Sequence, residues 1–434
     1  MTGKIWQPYT QMKTAGVSRH VSKASGAYLE LEDGSKILDL ISSWWTNLHG
    51  HCHPHIVKAI SAQAGQLEHV IFSGFTHSPA ENLSRRLVSH LPAGLNNVFF
   101  SDDGSTAVEV ALKMALQFWF NVGSPSRNKF IAFSGGYHGD TFGAMALGAT
   151  SGFFASSQAN AVPVQFVPYP QNTLHGENQA ELESESLHKL SELIEAFPDQ
   201  FAALIIEPLV QGASGMRMCS INFMQNVERI CKSAGILLIY DEVMTGFGRT
   251  GDWFASSRSC TTPDIICLSK GITGGFLPLA ATVTTDSIFN SFLSHEPRQM
   301  FAHGHSYTAN PLACAAACAS LDLLEENPGQ FQRLGLLHQY LMDSYWSDHP
   351  DLVNHRICGT IAAVDLKSHG QDDYFNSVAG VLRERFVSEG FLIRPLGKVI
   401  YFMPPYCIED TALEDAYKKV AQVVSELSAS SGGK

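Results

Sequence analysis

Between residues 95 and 285 short apolar runs alternate with segments of helical period, and this alternation narrows the possible folds more than any other feature. The runs are Val98–Ser101, Phe130–Phe133, Ala203–Glu207, Ile236–Asp241, Ile265–Leu268 and Ala280–Thr284. Between them Ser105–Asn121 and Phe223–Ala234 read as helices; in the first, Val108, Ala111, Ala115 and Phe118 recur on one face. Strands alternating with helices predict an α/β fold whose mostly parallel sheet is covered on both faces. Ligands of such sheets bind beyond the carboxyl ends of the strands, so the residues that follow each run carry the functional information.

Composition removes several function classes. The 434 residues are 45% hydrophobic and 16% charged, the profile of a globular protein with a large core. A formal charge of −12 without any Lys/Arg-rich run argues against broad nucleic-acid binding. No segment reaches the roughly 18 consecutive apolar residues of a membrane span, and the N-terminus lacks a signal-like apolar core. The nine cysteines are scattered without a C-x-x-C pair, and Cys314 and Cys318 read as small packing residues one helical turn apart. A reduced, cytoplasmic setting is expected.

Asn310 suits a helix N-cap and Pro311 the first helical position of LACAAACASLDLLEE. Residues 46–309 are therefore read as a large domain. Residues 310–434, with the hairpin-like GAYLELEDGS of residues 1–45, are read as a smaller one. The tail SASSGGK is expected to be disordered.

Chemistry concentrates at four strand ends. Asp241 closes the run LLIYD, and Lys270 follows IICLS one strand later. A lysine able to form an imine, with a carboxylate to keep a pyridine nitrogen protonated, is the pair that pyridoxal-phosphate (PLP) chemistry requires. The bland alternative is a loop acid and a solvated lysine. Ser101-Asp102-Asp103-Gly104-Ser105-Thr106 joins strand to helix and offers phosphate free N–H groups and hydroxyls; its alternative is an ordinary N-cap. Gly135-Gly136-Tyr137-His138-Gly139-Asp140 could lay an aromatic ring on a ligand or simply turn the chain. In the order phosphate loop, aromatic, Asp, Lys, the four features form a specific conjunction.

IIEPLVQGASGM, LLIYDEVMTGFGRTG, LSKGITGG and NPLACAAA resemble the class III aminotransferases of PLP fold type I, from about Trp6 to Tyr406. WQPYTQM, SSWWTNLHGHCHP and IRPLGKVIYFMPPY narrow the likeness to its biotin-biosynthetic branch. The resemblance implies a large domain plus a smaller α+β domain, pyridoxal 5′-phosphate as cofactor, and a homodimer with shared active sites. It casts Lys270, Asp241 and Tyr137 in the catalytic roles. Gly104 and Ser105 would bind phosphate, joined from the neighbouring subunit by Ser306, where the family has threonine, with Gly304 and His305 flanking it. Arg394 would bind a substrate carboxylate, and Tyr9, Trp44, Tyr137, Gly304 and Tyr401 would wall the pocket. Trp45 is read as core, and Glu207 as near the ring without direct catalysis. The implied reaction converts 8-amino-7-oxononanoate to 7,8-diaminononanoate, with S-adenosyl-L-methionine, or lysine as in some relatives, giving the amine. Other class III activities, on ω-amino acids or diamines or as an aminomutase, are the competing readings within the fold.

Two motifs point elsewhere. Gly246–Gly251 satisfies G-x-G-x-x-G and would make the chain an NAD-dependent oxidoreductase, but Asp252-Trp253-Phe254 and a Ser-rich stretch follow where a helix should open. His49, His51, His53 and His55 alternate, a spacing that puts several zinc ligands on one side of a strand, but Pro54 predicts a turn, and no metal is expected. A PLP-fold protein that binds a ligand without catalysis is the third reading.

Overall fold

The structure is a computed structural model that describes residues 4–148, 162–170, 178–367 and 377–431. The amino-terminal strands are β1 (Val21–Ser25), β2 (Tyr28–Leu31) and β3 (Lys36–Asp39). Next come β4 (Leu95–Ser101), β5 (Lys129–Phe133), β6 (Val164–Val167), β7 (Phe201–Ile206), the short pair β8 (Val210–Gln211) and β9 (Arg217–Met218), β10 (Leu237–Asp241), β11 (Ile265–Leu268) and β12 (Ala280–Thr285). The carboxyl-terminal part adds β13 (Leu352–Cys358), β14 (Ile361–Leu366), β15 (Phe391–Leu392) and β16 (Val399–Phe402).

All six expected runs enter one seven-stranded sheet in the order β4-β12-β11-β10-β7-β5-β6. Five neighbouring strands, β11 to β6, pair in parallel, and β12 is antiparallel to both its neighbours. The fold is the mostly parallel α/β architecture the alternation implied. Every residue of β7, β10 and β11 is buried, as a strand covered on both faces must be. The sequence reading lacked β6, a half-buried edge strand.

Helices cover the sheet for local reasons. Gly104–Asn121 buries Ala107, Val108, Ala111 and Ala115 along one stripe. Ile221–Ala234 starts where Ser220 Oγ accepts from Phe223 N at 3.0 Å and stops at Gly235, whose φ of 60° is left-handed. Pro311–Glu326 opens as expected: Asn310 Oδ1 accepts from Leu312 N and Ala313 N, both at 3.1 Å.

The chain's two ends meet. β3 pairs in parallel with β15, Leu38 opposite Phe391 and Asp39 opposite Leu392, closing the sheet β1-β2-β3-β15. A second sheet, β13-β14-β16, packs into the core cluster that holds Trp45, Tyr240, Leu268 and Tyr401. The final helix, Asp410–Ser431, takes in residues of the tail that composition assigned to disorder; residues 432–434 lie outside the described residues.

Candidate active site

The carboxyl ends of β4, β5, β7, β10 and β11 open on one cavity of about 420 Å³, lined among others by Trp45, Gly104, Ser105, Tyr137, Asp241 and Lys270. At its β4 end, Asp103 caps the helix: its Oδ1 accepts from Thr106 N at 2.9 Å while Thr106 Oγ1 accepts from Asp103 N at 3.0 Å. With the Thr106 hydroxyl and N–H engaged, the N–H groups of Gly104 and Ser105 are the first-turn donors left for an anion. Position 104 must be glycine, because a Cβ there would stand 2.6 Å from Val243 Cγ1. Gly139, at φ +126°, presses on the same turn, and Asp140 N donates to Ser105 Oγ at 3.1 Å.

Asp241 ends the central strand β10 and is almost wholly buried. Its Oδ2 meets His138 Nδ1 at 2.7 Å and its Oδ1 accepts from Val243 N at 3.1 Å. Burial opposes a charge on His138, but Asp241 and Glu207 outweigh it and leave the imidazole with a raised pKa. Both Asp241 carboxylate oxygens are thereby fixed in a water-poor site.

Lys270 follows β11 in a single 3-10 turn, with a left-handed φ of 46°. Its ammonium lies 4.5 Å from the centre of the Trp45 ring and has no hydrogen-bond or ion-pair partner among the described residues. Burial lowers its pKa to about 8 against the opposing pull of Asp241 and Glu207. Glu207, one residue past β7, accepts from Tyr137 N at 3.0 Å and Gly212 N at 2.9 Å. Burial pushes its pKa up to about 7.

The structure brings Lys270, Asp241, Tyr137, Gly104 and Ser105 to the same cavity. Tyr9 reaches its edge, the hydroxyl 3.1 Å from that of Tyr137 and 2.7 Å from Asp140 Oδ2. Burial and this contact with Tyr9 raise the Tyr137 pKa, keeping the phenol protonated. Trp44 packs edge-on against Tyr9 and carries the Arg394 guanidinium 4.5 Å above its ring. Trp45 belongs to the core cluster, as expected, and also lines the cavity beneath Lys270, whereas the half-buried Trp44 lies outside that lining. Tyr401 is no wall of this cavity. It is 0% exposed, and its hydroxyl accepts from Trp45 Nε1 at 2.9 Å. Gly304 and Ser306 are exposed and also outside the lining, while His305 Nδ1 sits 3.3 Å from Asp102 Oδ2 at the cavity's edge.

The other motifs resolve into packing. Gly246–Gly251 is a chain of turns followed by a five-residue helix, Ala255–Ser259, in the stretch that looked aperiodic. A Cβ on Gly248 would stand 2.3 Å from the Phe331 ring, so this glycine admits a neighbour's side chain. The fully buried Arg249 between them donates to Asn47 O and Pro404 O at 3.1 and 2.9 Å. In the histidine run, His49 meets Ser320, His51 meets Asp39 and His55 meets Asp322. Pro54, expected in a turn, opens the helix Pro54–Ala64.

This constellation belongs to a known class of enzyme. The aminotransferase class-III family matches residues 9–424, and the chain is a member of it. It is 49% identical to the adenosylmethionine-8-amino-7-oxononanoate aminotransferase of Synechococcus elongatus, over 98% of this chain and 99% of the relative. Identity to the enzyme of that name from Geobacter sulfurreducens is 41%, over 93% and 92% of the two chains. The crystal structure of the Methanocaldococcus jannaschii protein of the same name superposes with a TM-score of 0.90 at 33% identity, covering 98% of this chain and 97% of that one. An amine transaminase from an uncultivated Pseudomonas species, solved in its PLP-bound form, gives 0.87 at 30% identity over 96% and 98%.

Proposed function

We propose that this aminotransferase carries pyridoxal 5′-phosphate and converts 8-amino-7-oxononanoate to 7,8-diaminononanoate, taking the amine from S-adenosyl-L-methionine in biotin biosynthesis. The observation that carries the chemistry is the buried ammonium of Lys270, with a lowered pKa and no hydrogen-bond or ion-pair partner among the described residues, in one cavity with the Asp241–His138 pair. The choice of substrates rests on the relatives' names and on Arg394, whose forked donors suit a carboxylate.

The residues present fit the cofactor. Gly104 and Ser105, which line the cavity at the start of their helix, would take its phosphate on their N–H groups. Asp241 would face the ring nitrogen and Tyr137 the ring. When bound, the cofactor supplies an aldehyde that captures the amine and a protonated ring that withdraws electrons from the substrate carbon. Lys270 Nζ would hold it and, as a free amine, would take the proton from the donor's α-carbon. A pKa of about 8 suits that work, since an ordinary lysine stays protonated at neutral pH. Asp241, held at Oδ2 by His138 and at Oδ1 by Val243 N, would be the carboxylate that partners the ring nitrogen. The buried Trp45 ring would exclude bulk water from beneath the lysine.

The protein acts, in this reading, as a cytoplasmic homodimer in which Ser306, with Gly304 and His305, completes the phosphate site of the other protomer. Among the described residues no helix is long and apolar enough to cross a membrane. Purified protein assayed on 8-amino-7-oxononanoate with S-adenosyl-L-methionine, and separately with lysine, tests acceptor and donor together. Turnover with S-adenosyl-L-methionine is expected. Turnover of ω-amino acids alone would assign the chain to another class III activity.

A further inference from the structure

The two tryptophans beside the cavity stand on a turn whose backbone is unusual. Ser42, Ser43 and Trp45 have φ of 50°, 58° and 71°, the left-handed region that favours glycine, yet none of the three is glycine. Asp39 stands at the head of this turn and is completely buried. Its Oδ1 accepts from Ile41 N at 3.2 Å, and its Oδ2 accepts from Ser43 Oγ at 2.9 Å and from His51 Nε2 at 3.0 Å. His51 Nδ1 accepts from Asn47 Nδ2 at 3.1 Å, and Asn47 Oδ1 from Gly50 N at 2.8 Å. The carboxylate thus grips the turn at its start, its middle and, through His51, its exit.

Burying a carboxylate away from water is costly unless its bonds are well used. Here one bond to Asp39 comes from within the Ser42–Trp45 excursion, at Ser43, and the other two come from the residues that flank it, Ile41 and His51. The excursion sends the two rings to different tasks. Trp45 lies under the Lys270 ammonium, and Trp44 lies under the Arg394 guanidinium. Asp39 also sits where the two halves of the substrate wall are joined. It pairs with Leu392, two residues before Arg394, and Leu40 N donates to Leu392 O at 3.2 Å. Trp44 and Arg394 are therefore launched from the ends of two paired strands, with Asp39 at their junction.

We propose that Asp39 is a positioning residue for acceptor binding: it holds Ser42, Ser43 and Trp45 in left-handed backbone and so fixes the Trp44–Arg394 stack that receives the acceptor's carboxylate. The inference rests on the acceptor proposed above. It explains how serines and a tryptophan persist in a conformation their Cβ atoms disfavour, and why the clamp is an acid. A carboxylate accepts all three bonds, which an amide cannot do.

The test uses the holoenzyme with Asp39→Ala, and with Asp39→Ala combined with Ser43→Gly. Glycine adopts the left-handed turn without a clamp, so it should restore what the first change removes. The expected result for Asp39→Ala is a KM for 8-amino-7-oxononanoate raised about tenfold with kcat altered less than about threefold. The double variant should return KM to within about threefold of wild type. A merely structural acid would not be rescued by adding a flexible residue. A folded Asp39→Ala protein with wild-type KM, or a double variant with no recovery, overturns the inference. If Asp39→Ala does not fold, Ser43→Ala removes only one bond to the clamp and should raise KM about threefold; an unchanged KM overturns the idea. Should wild type fail to use this acceptor, the functional proposal falls by itself. The clamp is then read from the near-ultraviolet dichroism of the tryptophans, which must change in Asp39→Ala and return in the double variant.

Discussion

The site has two walls built in different ways, one lining the cavity and one beside it, outside that lining. One is the strand-end wall, where β7, β10 and β11 deliver Glu207, Asp241 and Lys270 from buried, fully paired backbone. The other is made of loops from the two ends of the chain, where Tyr9, Trp44 and Arg394 lean on one another. In the proposed function the strand-end wall carries charge and proton chemistry, which needs fixed distances and exclusion of water. In the same proposal the loop wall carries recognition, which must serve two unlike substrates in succession. A substitution in the first should therefore lower kcat, and one in the second should raise KM.

Lys270→Ala gives the largest effect. Without Nζ to hold the cofactor and move the proton, steady-state transamination should fall by at least about a thousandfold. The variant should still bind pyridoxal phosphate noncovalently, which dialysis and borohydride treatment would reveal. Appreciable turnover would remove the strand-end wall from the chemistry altogether. Asp241→Asn comes next: the amide keeps the size but loses the charge opposite the ring nitrogen. A drop of about a hundredfold in kcat with little change in acceptor KM is expected from steady-state kinetics.

Arg394→Ala probes the other wall and should do the reverse. Losing a charge-assisted, forked contact costs about 2 kcal/mol, so the acceptor KM should rise roughly thirtyfold while kcat stays near wild type. A kcat loss as large as that of Asp241→Asn would erase the division between the walls.

The same division explains what could be read from sequence. The strand-end wall was legible because each functional residue follows a run of buried apolar residues, and that run is written in LLIYD and IICLS themselves. The loop wall left weaker traces. Left-handed backbone usually announces itself by glycine, and Ser42-Ser43-Trp44-Trp45 has none, so nothing in the string predicts which tryptophan turns inward. Tyr401 carries the same aromatic signal as a pocket residue, yet it sits in β16 behind Trp45. His138 was visible only as part of a glycine-rich loop. Its pairing with Asp241 joins residues that are neighbours only after β5 and β10 enter one sheet. The signal that could have exposed it is the need of a buried carboxylate for a second partner. The missed edge strand Val164–Val167 is four residues long, half-buried and bounded by Pro163 and Pro168, too brief for a period to register.

The smallest expected effect lies where the two walls touch, at Trp45 beneath Lys270. Only the neutral amine attacks an aldehyde, so covalent uptake of pyridoxal phosphate by the apoprotein should track deprotonation of Nζ. Burial has lowered that pKa to about 8, so the uptake rate should rise with pH up to about 8 and level off above it. An unperturbed lysine would keep rising to above pH ~10. The Trp45 ring acts against the burial, because its face favours the ammonium form by about 1 kcal/mol. Trp45→Leu keeps an apolar floor but removes that attraction, and the midpoint should move down by about half a unit to one unit. Stopped-flow absorbance across a pH series measures both midpoints. A shift upward would mean that the ring's main part is to exclude water rather than to hold charge. Trp45 would then belong with the residues that shape the cavity, not with those that tune its lysine.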